Sequence, residues 1–171
     1  MRYATLLVGA LSLLLAGCGY HVPGAGAPWV GKEGRTLHVQ LFANRTTEPY
    51  LDSVMTEELA MQLSRLRLFE LQEDPKAVDL LMDGTVTKFE SRAVAYNNQD
   101  NISEYAADMM VKARLSRRSD GAVLWQEDLY RSETYAASLD KNLQQEGESL
   151  AARVIARRIA EDIVSRLLTD F

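Results

Sequence analysis

The spacing of apolar residues changes along this chain, and each change marks an element. After a segment rich in Gly and Pro, residues 36–42 alternate, with Leu37, Val39 and Leu41 on one face of a predicted strand. A polar turn at 44–49 then opens a helix over about residues 50–66, with Pro49 tolerated at its start. Leu51, Met55, Leu59, Leu63 and Leu66 recur at spacings of three and four and make one stripe. Residues 67–71 predict a short strand, closed by the turn 72–75. A long strand follows over about 79–96, where Gly84 suggests a bend or bulge.

The clearest alternation comes after the polar turn 96–101. Tyr105, Ala107, Met109, Val111, Ala113 and Leu115 face one way, while Asp108, Lys112 and Arg114 face the other. The next strand, about 122–135, returns through Ser119-Asp120-Gly121. A two-residue turn pairs Leu115 with Gln126 and Val111 with Tyr130. A three-residue loop with Gly121 left-handed pairs Leu115 with Trp125, Val111 with Leu129 and Tyr105 with Tyr135, and is preferred because a one-residue slip reverses the faces. It leaves Glu127, Arg131 and Glu133 on the core face, as expected if the strand ends outgrow the helical cover. A last helix spans about 145–169, with Ala152, Ile155, Ala156, Ile159, Ala160, Ile163 and Leu167 as its stripe. Arg157–Glu161, Arg158–Asp162 and Asp162–Arg166 fit a solvated face with weak i,i+4 support. The order β-α-β-β-β-β-α predicts an α+β domain, a two-layer sandwich with two helices on one face of a mixed sheet.

The N-terminus follows a different rule. Arg2 precedes a nearly unbroken apolar run over residues 3–15, too short to cross a bilayer of about 30 Å as a helix. The run ends Leu15-Ala16-Gly17-Cys18, the pattern of a bacterial lipobox, so residues 1–17 are expected to be a cleaved signal peptide. Cys18 becomes the lipid attachment site, and two or three acyl chains would anchor the protein stably. Gly19, where an aspartate would favour retention at the inner membrane, points to the outer membrane. Residues 18–34, with Pro23, Gly24, Gly26, Pro28, Gly31 and Gly34, form a flexible tether, and residues 35–171 the domain.

Composition then narrows the chemistry. The net charge of −5 argues against nucleic acid as a partner. The single cysteine is consumed by lipid, which leaves no thiol for a disulfide or zinc site. Of two histidines, His21 falls in the tether and His38 in mid-strand, as a polar partner on the outer sheet face. No nucleophile elbow, phosphate loop or metal-ligand spacing appears, so neither a catalytic centre nor a cofactor is expected. Binding fares better. Lys112 and Arg114 project from one strand, with Arg117-Arg118 beyond them and Lys141 in the final connection. Such cations on a rigid sheet can hold phosphate groups or pair with nearby carboxylates.

An ordered set of short matches runs through these elements. Cys18-Gly19-Tyr20-His21 after the lipobox, Phe42-Ala43-Asn44-Arg45-Thr46, and Glu48-Pro49-Tyr50-Leu51 resemble the LptE family of lipopolysaccharide-assembly lipoproteins. Asp83-Gly84-Thr85, Ser103-Glu104-Tyr105, Asp120-Gly121 followed by Leu124-Trp125, and Ala160-Glu161-Asp162-Ile163-Val164 extend the resemblance over the whole chain. It implies a non-enzymatic partner of the outer-membrane β-barrel LptD, a plug that helps the barrel assemble and binds lipopolysaccharide in transit. It also implies two helices packed on one sheet. Family residues proposed to touch lipopolysaccharide are basic and lie near strand–strand loops. The loop 96–102 has no basic residue here, so Lys141 and the Lys112/Arg114 pair remain, joined by the cationic Arg117–Arg118 hairpin. The alternative is a periplasm-facing scaffold lipoprotein of another envelope complex, with no role in lipopolysaccharide handling.

Overall fold

The structure is a computed structural model that describes residues 32–66 and 68–169. The expected signal peptide, Cys18 and most of the tether lie outside the described residues. The elements are β1 (Thr36–Val39), β2 (Ala43–Asn44), α1 (Leu51–Leu66), β3 (Glu70–Leu71), β4 (Leu80–Tyr96), β5 (Ile102–Arg117), β6 (Val123–Ala136) and α2 (Lys141–Thr169). The sheet order is β3-β1-β4-β5-β6, with β2 also paired to β4. β1 and β2 run parallel to β4, and the β4–β5–β6 meander is antiparallel. The result is an α+β fold with a mixed sheet.

Both helices cover one face. α1 lies over β1 to β4, and α2 over β5 and β6. Leu51, Met55, Leu59 and Leu63 of α1 meet Ile155, Ile159 and Ile163 of α2 in one buried cluster with Leu37, Leu80, Met82, Val111 and Leu115. The helices run in the same direction. Glu58 of α1 therefore faces Arg157 of α2 at 3.7 Å, and Gln62 Nε2 donates to Glu161 Oε1 at 3.5 Å.

The predicted first strand is broken. Leu41, expected on the same face as the buried Leu37, is 66% exposed, while Phe42 is 1% exposed. The Phe42 amide donates to Thr56 Oγ1 at 3.0 Å, and its ring turns in over β4 at Gly84. A Cβ at Gly84 would stand 2.2 Å from Phe42 Cε1, so the glycine serves this close approach. No register shift occurs there. The β4–β5 irregularities fall between Val86 and Lys88 and between Ala93 and Tyr96 instead.

The preferred β5–β6 register is the observed one: Leu115 pairs with Trp125, Val111 with Leu129 and Tyr105 with Tyr135. The connection differs in detail. Arg117 N donates to the Ala122 carbonyl at 2.8 Å, closing a four-residue loop at 118–121 with Gly121 at φ 72°. A register shift between Leu115 and Ser116 then restores the pairing.

α2 begins at Lys141, four residues earlier than its periodicity suggests, because Asp140 Oδ1 accepts from Asn142 N at 2.8 Å and Leu143 N at 3.3 Å. The inward charges of β6 are not left uncovered. Glu133 pairs with Arg158, Arg131 with Asp162 at 2.5 Å, and Glu127 with Arg166. Of the residues expected on a solvated helix face, Arg158, Asp162 and Arg166 make a ladder of alternating sign against the edge strand, with both arginines still about half exposed. Inward charges of this kind also discourage an edge from pairing with another chain.

Candidate functional site

With the helices on one side, the other side of the β4–β5–β6 meander faces outward. Cross-strand pairing arranges its side chains in rows: Asp83–Arg114–Gln126, Thr85–Lys112–Asp128, Lys88–Met110–Tyr130 and Glu90–Asp108–Ser132. The first two rows border a shallow cleft of about 290 Å³, lined by Asp83, Gly84, Thr85, Lys112, Arg114 and Gln126. Lys112 and Arg114, singled out from alternation, thus meet in one concavity.

Neither cation is free of carboxylates. Arg114 Nε donates to Asp83 Oδ2 at 3.1 Å, and Nη2 donates to Oδ1 and Oδ2 at 3.1 and 3.0 Å. This forked geometry is the stronger kind of charge-assisted contact. Lys112 Nζ stands 3.7 Å from Asp128 Oδ1, a looser pair, and both cationic side chains are about half exposed. Such exposed pairs contribute only about 0.2–1 kcal/mol, so an incoming anion can compete for the same cations.

The other three candidates do not join the cleft. Arg117 gives Nε and Nη2 to Glu33 and Nη1 to Asp120 at 2.7 Å. Hydrogen bonds to Glu33 and then Asp120 raise its already high pKa. This clamp holds Glu33 against the end of β5, beside the 118–121 loop. Arg118 Nε donates to the Val78 carbonyl at 2.6 Å, and its backbone N donates to the Asp79 carbonyl at 2.8 Å. Both hairpin arginines hold the loop end of the sheet together. Lys141 opens α2 near the other end, beyond the ten residues of β6 that separate Gln126 from Ala136, about 33 Å.

Alternation placed Asp108 on the outer face but did not mark what surrounds it. The residue is only 8% exposed. Asp108 Oδ2 accepts from Arg92 Nε at 2.8 Å, and Oδ1 accepts from the Tyr130 hydroxyl at 2.6 Å. Burial pushes the carboxyl up, but hydrogen bonds from Tyr130, Ser132 and Arg92 outweigh it and hold the group below the ordinary aspartate value. This network ties β4, β5 and β6 together across the outer face. Finding it required the three-strand register, which no single strand's pattern contains. His38 is confirmed as a polar partner: its Nδ1 lies 2.9 Å from the Gln72 carbonyl.

Four of the exposed apolar residues share one end of the sheet. Tyr96 and Ile102 flank the 97–101 turn, and Leu139 and Leu143 stand at the start of α2. All four lie at the end of the sheet opposite the Glu33–Arg117 clamp. Along the 17 residues of β4 the two ends are about 55 Å apart.

A family model described as lipopolysaccharide-assembly, LptE, matches residues 34–167. No curated protein matches the chain. Among solved structures, the chain is similar to a proposed lipoprotein from Caulobacter crescentus, with 18% identity, 75% of this chain and 88% of that chain covered, and a TM-score of 0.56. It is similar to PelC in a dodecamer from Paraburkholderia phytofirmans, with 16% identity, coverage of 80% and 90%, and a TM-score of 0.56. A minor lipoprotein from Acinetobacter baumannii gives 15% identity, coverage of 80% and 92%, and a TM-score of 0.53. At these identities the likeness concerns the fold alone.

Proposed function

Because the chain belongs to the LptE family of lipopolysaccharide-assembly proteins, we propose that it works as an outer-membrane lipoprotein plugging the LptD β-barrel. In this reading Cys18 carries the lipid, residues 18–34 form the tether, and the domain sits at or inside the barrel. The domain helps the barrel assemble and binds lipopolysaccharide on its way to the outer leaflet. The family is non-enzymatic, and the domain's part is to bind.

The observation that carries this reading is the outer sheet face. It is mostly polar, and it holds Lys112 and Arg114 in one open cleft. A plug in a water-filled lumen has to present such a surface, since barrel interiors are polar. The same two cations can contact either carboxylates of the barrel wall or phosphates of lipid A.

The test is affinity purification of the protein from detergent-solubilised outer membrane. A large β-barrel should co-purify in stoichiometric amount, with lipopolysaccharide in the complex. The recovered chain should have the mass of residues 18–171 plus acyl groups. Recovery without a barrel would leave a free scaffold lipoprotein, and an unmodified, uncleaved chain would remove the anchor from the account.

A further inference from the structure

The Asp83–Arg114 contact leaves part of the guanidinium unengaged. Three hydrogen bonds of 3.0–3.1 Å engage Nε and Nη2 of Arg114, two of its three nitrogens. Among the described residues, Nη1 makes no hydrogen bond. Lys112, two residues along the same strand, sits about 7 Å away at strand spacing and holds its carboxylate only loosely, at 3.7 Å. Thr85 and Gln126 add a hydroxyl and an amide to the same cleft. Four donors therefore converge where one tetrahedral anion could bridge them. Two of those donors are already engaged by carboxylates of the protein itself.

We propose that Asp83 is the resident competitor of this cleft. Its carboxylate occupies the Arg114 fork while the cleft is empty, and a phosphate-bearing lipid headgroup binds by exchanging with it. The inference rests on the reading that this sheet face takes up the lipid. It adds the residue that sets the affinity. A guanidinium with no internal partner would hold a phosphate tightly and release it slowly. One already paired with Asp83 gives up less on binding and recovers its partner on release. Each exchange is near balance, which suits a protein that hands its ligand on. No bond is made or broken covalently.

The substitution Asp83→Asn removes the competing charge but keeps the side-chain volume. Full-length lipidated protein, purified with its barrel, is titrated with diphosphorylated lipid A in mixed micelles. An exposed ion pair sets the scale of the competition, so Asp83→Asn should bind about two- to fivefold more tightly than wild type. Asp83→Ser should do the same, which covers an asparagine that reseats on Arg114. Glu90→Gln, a carboxylate paired with Lys88 outside the cleft, changes the net charge equally and should leave binding unchanged. Inorganic phosphate should compete, and dephosphorylated lipid A should bind more weakly.

The double variant Asp83→Asn/Arg114→Gln decides the mechanism. Loss of the gain in that background places the competition at the fork. A gain that persists without Arg114, or no gain in either Asp83 variant, overturns the competitor while a weakened Arg114→Gln keeps the sheet face as the binding surface. If Lys112→Gln and Arg114→Gln both bind lipid A as wild type does, the sheet-face reading falls and the competitor falls with it. Binding indifferent to phosphate and to dephosphorylation overturns phosphate as the recognised group.

Discussion

Gly84→Ala is a one-carbon change whose cost can be worked from contacts. The added Cβ would stand 2.2 Å from Phe42 Cε1, 2.7 Å from Phe42 Cδ1 and 2.6 Å from the Lys112 carbonyl oxygen. The ring cannot retreat cheaply, because Phe42 is buried and its amide is held by Thr56 Oγ1. The carbonyl belongs to the β4–β5 ladder, where Gly84 pairs with Ala113. Overpacking a core typically costs about 1–3 kcal/mol, and two separate obstructions, one of them backbone, place this site near 3. For a domain of this size each kcal/mol moves Tm by about 3 °C, so the melt should fall by about 8–10 °C. Far-UV circular dichroism during heating measures it. Phe42→Leu should remove the ring contact but leave the carbonyl, so Phe42→Leu/Gly84→Ala should be less destabilised than the sum of the singles. An alanine variant that melts within about 1 °C of wild type, a surface-like effect, would refute the close approach.

Other consequences are as direct. Asp108 has a folded-state pKa below its unfolded value of about 3.9, so its contribution is complete above that value and is lost as pH falls through the lower folded one. Urea melts of Asp108→Asn should show a flatter acid limb than wild type, and an identical limb would exclude the network as its source. Asp162→Arg should lower the melting temperature by placing two arginines opposite each other, and Arg131→Asp in the same chain should restore part of the loss. Failure of the swap to recover any stability would mean that the α2–β6 ladder does not set this packing. Leu59→Asp and Ile159→Asp each bury a charge with no partner in the core, which should cost several kcal/mol, and a wild-type melt for either would contradict its burial.

The fold was legible where a pattern was long and one-sided. The alternation from Tyr105 to Leu115 had to meet a partner face of equal length, and that alone selected the Trp125 and Leu129 register. The first strand misled because Leu41 and Phe42 are both apolar, and only the gap over Gly84 decides which of them turns inward. Arg158, Asp162 and Arg166 look like solvated residues when the helix is read alone. Their ion-pair partners appear only beside the inward charges of β6. At the site, Lys112 and Arg114 could be placed on one face from their spacing. Their carboxylate partners could not, because Asp83 and Asp128 come from two other strands. Arg117 and Arg118 looked equally available, yet Glu33 and the Val78 carbonyl already engage them.

In the proposed function the outer sheet face meets the barrel or its lipid, and site-specific photo-crosslinking in intact cells tests that contact. A crosslinker at Lys112 or Asp128, both solvent-facing on adjoining strands, should capture the barrel or lipopolysaccharide. One at Leu59, which has no exposed surface, should capture neither. Products from Leu59 with silence at Lys112 and Asp128 would contradict the account.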